Sequence, residues 1–310
     1  MSASYSSALG AALEAAGSQH YPQGTLYMVA TPIGNLADIS LRALHVLALA
    51  DRVACEDTRR TQALLRAYGI DKPGAQLLAV HQHNEAQAAH GVVDLLRAGL
   101  RVAYVSDAGT PGVSDPGARL VAQVRAQGLR VVPLPGASSV TTALSAAGLV
   151  QDGEAGSGFM FAGFLPSKAT ERAHAVQMLA TQPIATVLLE APHRIEALAL
   201  ALAVLGERWV TVGRELTKQF EEIATLRADA LPAWLAADAN RLRGEFVLVL
   251  HPLQATTEVA QDDRVLKLLL EHLPLKTAVK LAADISGEPR NALYQRALAL
   301  KAPGPDEAPD

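Results

Sequence analysis

The sequence predicts an α/β protein of two domains followed by a small helical segment. Three observations carry this. From Gly24 onward, short apolar β-branched runs alternate with longer segments of helical period, the pattern of strands joined by covering helices. The stretch Gly148 to Gly158, with four glycines and two acids, interrupts that series. Beyond residue 253 the strand pattern stops and helical period alone remains. A chain of 310 residues, half of them hydrophobic, is long enough to bury two cores.

The elements follow in order. Residues 1–23 are Ala/Ser-rich, and the first twenty contain no Lys or Arg, so they read as a flexible leader and not as a secretory signal. Residues 24–148 form the first α/β domain. Its strands are Thr25 to Ala30, Arg52 to Cys55, Gln76 to Val80, Arg101 to Val105 and Arg130 to Leu134. Helices at Ser40 to Ala50, Thr58 to Tyr68, Glu85 to Ala98, Ala118 to Gln127 and Ser139 to Ala147 lie between and after them, several ended by glycine. Residues 149–158 read as a linker and 159–253 as a second α/β domain.

In that domain the strands are Phe159 to Phe164, Ala185 to Leu189, Trp209 to Val212, Glu221 to Leu226 and Glu245 to Leu250. Helices fall near Thr170 to Ala180, Arg194 to Leu205 and Pro232 to Ala237. The run Phe220 to Leu226 follows the preceding strand too closely for a helical crossover, which predicts an antiparallel hairpin and a mixed sheet. Residues 254–300 form the helical segment, with helices at Thr277 to Ile285 and Pro289 to Leu300, and 301–310 an acidic tail.

A net charge of −4 argues against nucleic-acid binding by bulk positive charge, though not against a local basic surface. One cysteine, Cys55, excludes an internal disulfide framework and fits a reducing compartment, with the cytoplasm as the expectation. Its apolar strand context predicts a buried, inert thiol. The most apolar stretches are broken by His45, Asp51, Arg52 and Glu196 well before membrane-spanning length.

Three loops at predicted strand ends combine glycine with small polar residues: TPIGNLAD at Thr31 to Asp38, SDAGTPGVSDPG at Ser106 to Gly117, and PLPGASS at Pro133 to Ser139. Ligands of open α/β sheets bind at that edge, where glycine permits close approach and helix N-termini present amides. The candidate small-molecule ligands are therefore Thr31, Pro32, Ile33, Gly34, Asn35 and Leu36; Ser106, Asp107, Ala108, Gly109 and Thr110; and Gly136, Ala137, Ser138 and Ser139. The first loop has one glycine where a dinucleotide fingerprint needs three. Charged residues gather at other strand ends, in CEDTRRT, EAPHR and GRELTK. His81 and His83, with Glu85 nearby, lack further ligands at metal spacing, so no metal is expected.

Taken together, the strings LYMVATPIGNLADIS, ACEDTRRT, HQHNE, VSDAGTPGVSDPG, PLPGASSVTTALSAAGL, FAGFLP, EAPHRI, RELTK and RGEFVLV resemble the tetrapyrrole-methylase family, and within it the branch that methylates small-subunit ribosomal RNA. The resemblance runs from about Thr25 to His251, and PLKTAVKLAADISGEPRNALYQRAL is similar to that branch's ending. It implies a class III methyltransferase fold, S-adenosylmethionine in a cleft between two domains and a homodimer. It also implies transfer to a cytidine ribose 2′-oxygen in the decoding region of 16S ribosomal RNA, within the assembled small subunit.

Transfer from a sulfonium is a direct displacement, so alignment and water exclusion dominate. A ribose hydroxyl is a weak nucleophile, and a group that accepts its proton should raise the rate. Glu56, Asp57 and His193 are the candidate bases, with Glu190 a further one. Arg59, Arg60, Lys168, Arg172, Arg194, Arg214 and Lys218 are assigned to the RNA. The rivals are a precorrin-type C-methyltransferase, which would need a large apolar groove, and a non-catalytic ribosome-assembly factor.

Overall fold

The computed structural model describes residue 5 and residues 7–81, 84–149, 158–253 and 263–301. The chain divides into two compact units, Met1–Leu253 and Gln254–Asp310. The first unit begins with helix α1 (Ala8–Ala16), where the sequence predicts a flexible leader. Ala12 and Ala16 are buried, Ala12 within the same core cluster as Leu44 and Leu47. The Tyr5 amide donates to the Ala67 carbonyl at 2.9 Å. Low charge misled the expectation: small alanines suit a helix packed closely on a neighbour.

Strands β1 (Thr25–Val29), β2 (Arg52–Cys55), β3 (Leu77–Ala79), β4 (Val102–Val105) and β5 (Arg130–Leu134) form a wholly parallel sheet in the order β3-β2-β4-β1-β5. Alternate residues face opposite layers. Tyr27, Val29, Val53, Cys55, Ala103 and Val105 pack with Leu44 and Leu47 of α2 (Leu41–Leu49) and Leu65 of α3 (Thr58–Ala67). Leu26, Met28, Ala54, Val102 and Tyr104 pack with Val92 and Leu96 of α4 (Glu85–Arg97) and Leu120 and Val124 of α5 (Ala118–Ala126). Burial on both faces is why these strands read as continuous apolar runs. The chain leaves β1 toward β2 but leaves β4 toward β5, so a crevice opens between the carboxyl ends of β1 and β4.

After α6 (Ser139–Ala146), the strands β6 (Phe159–Phe164), β7 (Ala185–Glu190), β8 (Trp209–Arg214), β9 (Glu222–Arg227) and β10 (Phe246–Leu250) build a second sheet in the order β6-β7-β10-β8-β9. It is mixed: β6 and β7 are parallel, β10 is antiparallel to β7 and β8, and β8 and β9 form the expected antiparallel pair. One face carries Leu188, Val210, Val212 and Leu248 against residues of α7 (Ala169–Ala180), α8 (Ile195–Leu202) and α9 (Leu231–Ala236). The other carries Val187, Val247 and Val249 against Val140 and Ala143 of α6. Thus a helix that follows the first sheet covers the second.

The second unit holds α10 (Arg264–His272), α11 (Leu275–Ser286) and α12 (Arg290–Lys301), around Leu266, Val279, Ala282, Ala283, Leu293 and Ala297. Two of these helices match the expected pair; α10 is additional, and Leu266, Leu269 and Leu270 at helical spacing were its signal. The linker expected at 149–158 falls almost wholly outside the described residues, as does the acidic tail. No described helix is long and apolar enough to cross a membrane.

Candidate active site

The three glycine-bearing loops are stitched together. Thr31 and Gly109 exchange backbone hydrogen bonds of 2.9 and 3.0 Å, an isolated antiparallel bridge across the β1/β4 crevice. The buried Thr31 hydroxyl donates to the Ser106 carbonyl at 3.4 Å, and the Thr110 hydroxyl to the Ala137 carbonyl at 3.0 Å. Gly109 has φ +82°, and a Cβ there would stand 3.2 Å from Ile33 Cγ2. Only glycine enters that backbone region freely, so the bridge depends on this residue.

Next to the bridge lies a cavity of about 330 Å³. From the first sheet's side it is lined by Ile33, Ala108, Gly109, Thr110, Val113, Ser114, Asp115, Ser138, Ser139 and Val140. From the second come Phe164, Leu189, Glu190, Ala191, Pro192, Leu216, Glu245, Phe246 and Val247. Of the expected ligand-holding residues, Ile33, Ala108, Gly109, Thr110, Ser138 and Ser139 therefore reach the wall. Thr31, Pro32, Gly34, Asn35, Leu36, Ser106, Asp107, Gly136 and Ala137 are not in the lining.

Several of those support the wall from behind. Asn35 caps a short turn by accepting from the Ala37 amide, and the Leu36 carbonyl accepts from the Tyr68 hydroxyl. A Cβ on Gly136 would approach Ala30 Cβ to 2.8 Å, and one on Gly34 would approach Lys218 Cγ to 2.4 Å. Leu216 enters the wall from a loop in which Glu215 and Thr217 adopt φ +51° and +67°, conformations costly for such residues.

The candidate bases separate sharply. Asp57 is the N-cap of α3: its carboxylate accepts from the Arg59 and Arg60 amides, and bonding to Arg59 holds its pKa below the ordinary value. His193 is exposed and outside the cavity lining. Neither lies on the cavity wall. Glu56 is half-buried, and burial, with the negative charge of Asp107 adding, pushes its carboxyl up. It too is outside the lining.

Asp115 is in the lining, and it was not singled out in the sequence. Burial, then the charge of Glu56, raises its pKa to about 6. Its loop is anchored by the buried Glu85, whose Oε1 accepts from the amides of Gly117, Arg119 and Leu120 at 2.9, 2.9 and 3.1 Å. A carboxylate at the start of α5 meets both the free amides and the positive end of the helix dipole. The only signal in the sequence was the repeated Ser-Asp of one loop, which does not say which aspartate points inward.

The predicted RNA contacts divide as well. Arg59 is 90% exposed in its side chain and Arg60 71%, paired to Asp57 and Asp107 at 3.2 and 2.9 Å. Lys168 is exposed and pairs with Glu171; Arg172 donates to the Ser167 carbonyl. Arg214 is buried and bonds Glu222 and the carbonyls of Phe220 and Arg243, so its guanidinium is engaged within the fold. Lys218 lies between Glu215 and Glu245 at 2.8 and 2.9 Å, which occupies its ammonium. Arg194 is part-buried, 3.0 Å from Glu190, and donates to the Leu165 carbonyl. Cys55 is fully buried and its thiol is pushed up by burial, as expected of an inert core residue. The His81 amide donates to Asn84 Oδ1, while His83 lies outside the described residues.

Residues 25–232 match the model of the Tetrapyrrole (Corrin/Porphyrin) Methylases and residues 256–301 that of the RsmI C-terminal HTH domain. Among curated proteins, the ribosomal RNA small subunit methyltransferase I of Neisseria meningitidis serogroup A is 48% identical over 284 residues, 90% of this chain and 94% of its own. The protein of the same name from Escherichia coli O157:H7 is 47% identical, over 89% and 95%. Among solved structures, a diphthine synthase aligns with TM-score 0.55 at 16% identity, covering 73% of this chain and 90% of its own. A cobalt precorrin-4 methyltransferase aligns with TM-score 0.53 at 19% identity, covering 74% and 98%. These two likenesses are of fold. Glycine-stitched loops, a second sheet facing them and near-full-length similarity together show that the chain belongs to the ribosomal RNA small subunit methyltransferase I family of tetrapyrrole methylases.

Proposed function

We propose that this chain transfers the methyl group of S-adenosylmethionine to small-subunit ribosomal RNA, with a cytidine ribose 2′-oxygen in the decoding region of the 16S molecule as acceptor. The observation that carries the reading is the cavity itself. It is walled by Gly109 at a positive φ and by the start of α6, and its size is at the lower end for a small-molecule site. Among the described residues, its charged lining is Asp115, Glu190 and Glu245, with no Lys, Arg or His. That donor set fits a cationic sulfonium ligand and disfavours a phosphate, so the residues present suit this cofactor.

When bound, the cofactor supplies a methyl carbon already activated by the positive sulfur. The chain's own contribution is alignment and dryness: Ile33, Val140, Leu216 and Val247 exclude water, and the bridged loops fix the wall. Asp115 takes the acceptor hydroxyl's proton onto its carboxylate, and a pKa of about 6 suits a base at neutral pH. Glu56 acts through Asp115, its charge raising that pKa. Arg59 and Arg60, the most exposed of the paired arginines at β2, meet flanking phosphates.

The test is label transfer from methyl-labelled S-adenosylmethionine to purified small subunits, followed by nuclease digestion and mass spectrometry. A single 2′-O-methylcytidine is expected. A base-methylated nucleoside, or subunit binding without label, overturns the acceptor or the reaction respectively. Label in an added tetrapyrrole in place of RNA would indicate ring-carbon methylation.

A further inference from the structure

Glu190 is the last residue of β7, and its backbone is registered opposite Phe246 on the central strand β10. Its side chain is 1% exposed, yet Glu190 lines the cavity. The two carboxylate oxygens are treated differently. Oε1 accepts from the Ala191 amide at 2.9 Å and stands 3.0 Å from Arg194 Nε. Oε2 is buried and has no hydrogen-bond partner among the described residues. A buried carboxylate oxygen without a donor is expensive, because it has lost water and gained nothing in return. Arg194 Nε, also buried and without a hydrogen-bond partner among the described residues, faces the other oxygen as an ion pair, and the same guanidinium donates to the Leu165 carbonyl.

The other acids in the wall differ. Glu245 is tied to Lys218 and its side chain is 78% exposed. Asp115 has no oxygen among the described buried side-chain atoms without a partner, and the nearby Ser106 hydroxyl favours its charged form. Glu190 thus presents the one buried acceptor oxygen without a donor among the described wall carboxylates; Arg194 lies behind it, and the described lining itself holds no basic residue. An anionic group would be repelled there. A positively charged N–H donor would satisfy the oxygen and be attracted by the wall.

We propose that Glu190 is a cofactor-binding residue whose free carboxylate oxygen receives the amino-acid ammonium of S-adenosylmethionine. This rests on the reading that the cavity takes that cofactor. Arg194 and the Ala191 amide hold the opposite oxygen so that the acceptor is aimed before the ligand arrives, which lowers the ordering cost of binding.

Calorimetric titration of the full chain with three ligands tests it: S-adenosylmethionine, S-adenosylhomocysteine and 5′-deoxy-5′-methylthioadenosine, the last sharing the nucleoside and sulfur but lacking the amino acid. Glu190→Gln should weaken the first two by roughly 10- to 100-fold, the scale of a hydrogen bond to a charged group, and leave the third unchanged. An amide cannot accept at both oxygen positions, so one of the two contacts is lost whichever way it turns. Equal loss for all three ligands would mean that Glu190 only supports the wall. Unchanged affinity for all three, with a raised half-saturating concentration of small subunits, would assign the donor to the acceptor nucleoside instead. If Glu190→Gln fails to fold, as judged by thermal melting, the same comparison on Glu190→Asp decides, because shortening withdraws the oxygen while keeping the charge. Failure of the unaltered chain to bind S-adenosylmethionine would overturn the functional reading itself, a result distinct from any behaviour of the variants.

Discussion

The ends of β2 and of the second sheet's strands carry similar letters, EDTRR against EAPHR and RELTK, but their charges have different fates. At β2 the strand ends at the open rim of the sheet, and Arg59 and Arg60, themselves largely exposed, pair with the part-buried carboxylates of Asp57 and Asp107. At β7 and β8 the strands end against other elements. Glu190 and Arg214 are buried, and Lys218 is clasped between two acids. Exposed ion pairs are weak and exchange readily for a phosphate, whereas a desolvated pair that loses one partner leaves an uncompensated charge. A cation's partners, and not its place in a motif, decide whether it is available to RNA.

The largest effect that can break this comparison is on the wall itself. Gly109→Val places a Cβ against Ile33 at a φ that valine avoids, and it should lower S-adenosylmethionine affinity more than about a hundredfold while the circular dichroism spectrum is kept. Calorimetric affinity within threefold of the unaltered chain would detach this loop from the ligand. Next in size is the proton acceptor. Asp115→Asn should slow single-turnover methyl transfer by roughly a hundredfold at saturating cofactor and subunits. The unaltered chain's rate should rise with pH through about 6 and then level. Glu56→Gln, by removing the charge that raises Asp115, should move that midpoint downward. A flat profile in both would show that transfer runs on alignment alone.

The two arginine classes should then separate in different assays. Arg214→Ala should cost roughly 2–3 kcal/mol in a denaturant melt, below the range for a wholly buried pair because Glu222 remains 28% exposed. Arg59→Ala with Arg60→Ala should leave the denaturant midpoint nearly unchanged. The same double variant should weaken small-subunit binding and reduce its salt slope by roughly one to two. Equal stability losses, or an unchanged salt slope, would erase the distinction between rim and interior.

The smallest effect is a pH linkage. The raised pKa of Asp115 means that the folded chain binds more protons than the unfolded one between about pH 4 and 6, so this residue's contribution falls as pH rises through that window. Asp115→Asn should melt alongside the unaltered chain at pH 4 and above it at pH 7. The same difference at both values would mean that the carboxyl is not held up by its surroundings.

Much of this was legible beforehand. Short apolar β-branched runs and period-3.6 segments located the strands of both sheets and the helices between them, and strand-end glycines marked the wall, because these signals are local consequences of burial and backbone sterics. Asp57 as an N-cap was also within reach, since the cap and the amides it satisfies are two and three residues apart. The choice among Glu56, Asp57, Asp115 and Glu190 was not, and neither was the fate of Lys218. Asp115 owes its raised pKa to burial and to Glu56, a residue from another strand end. Lys218 is held by Glu245 from a position 27 residues away. Sequence by itself determined the layers, their order of appearance and the sheet edge beside which the cavity lies, because those follow from short-range spacing. Only the tertiary structure decided which carboxylate faces the cavity and which arginine stays free. Desolvation and charge pairing depend on what other segments place within a few ångströms, and no local pattern encodes that distance.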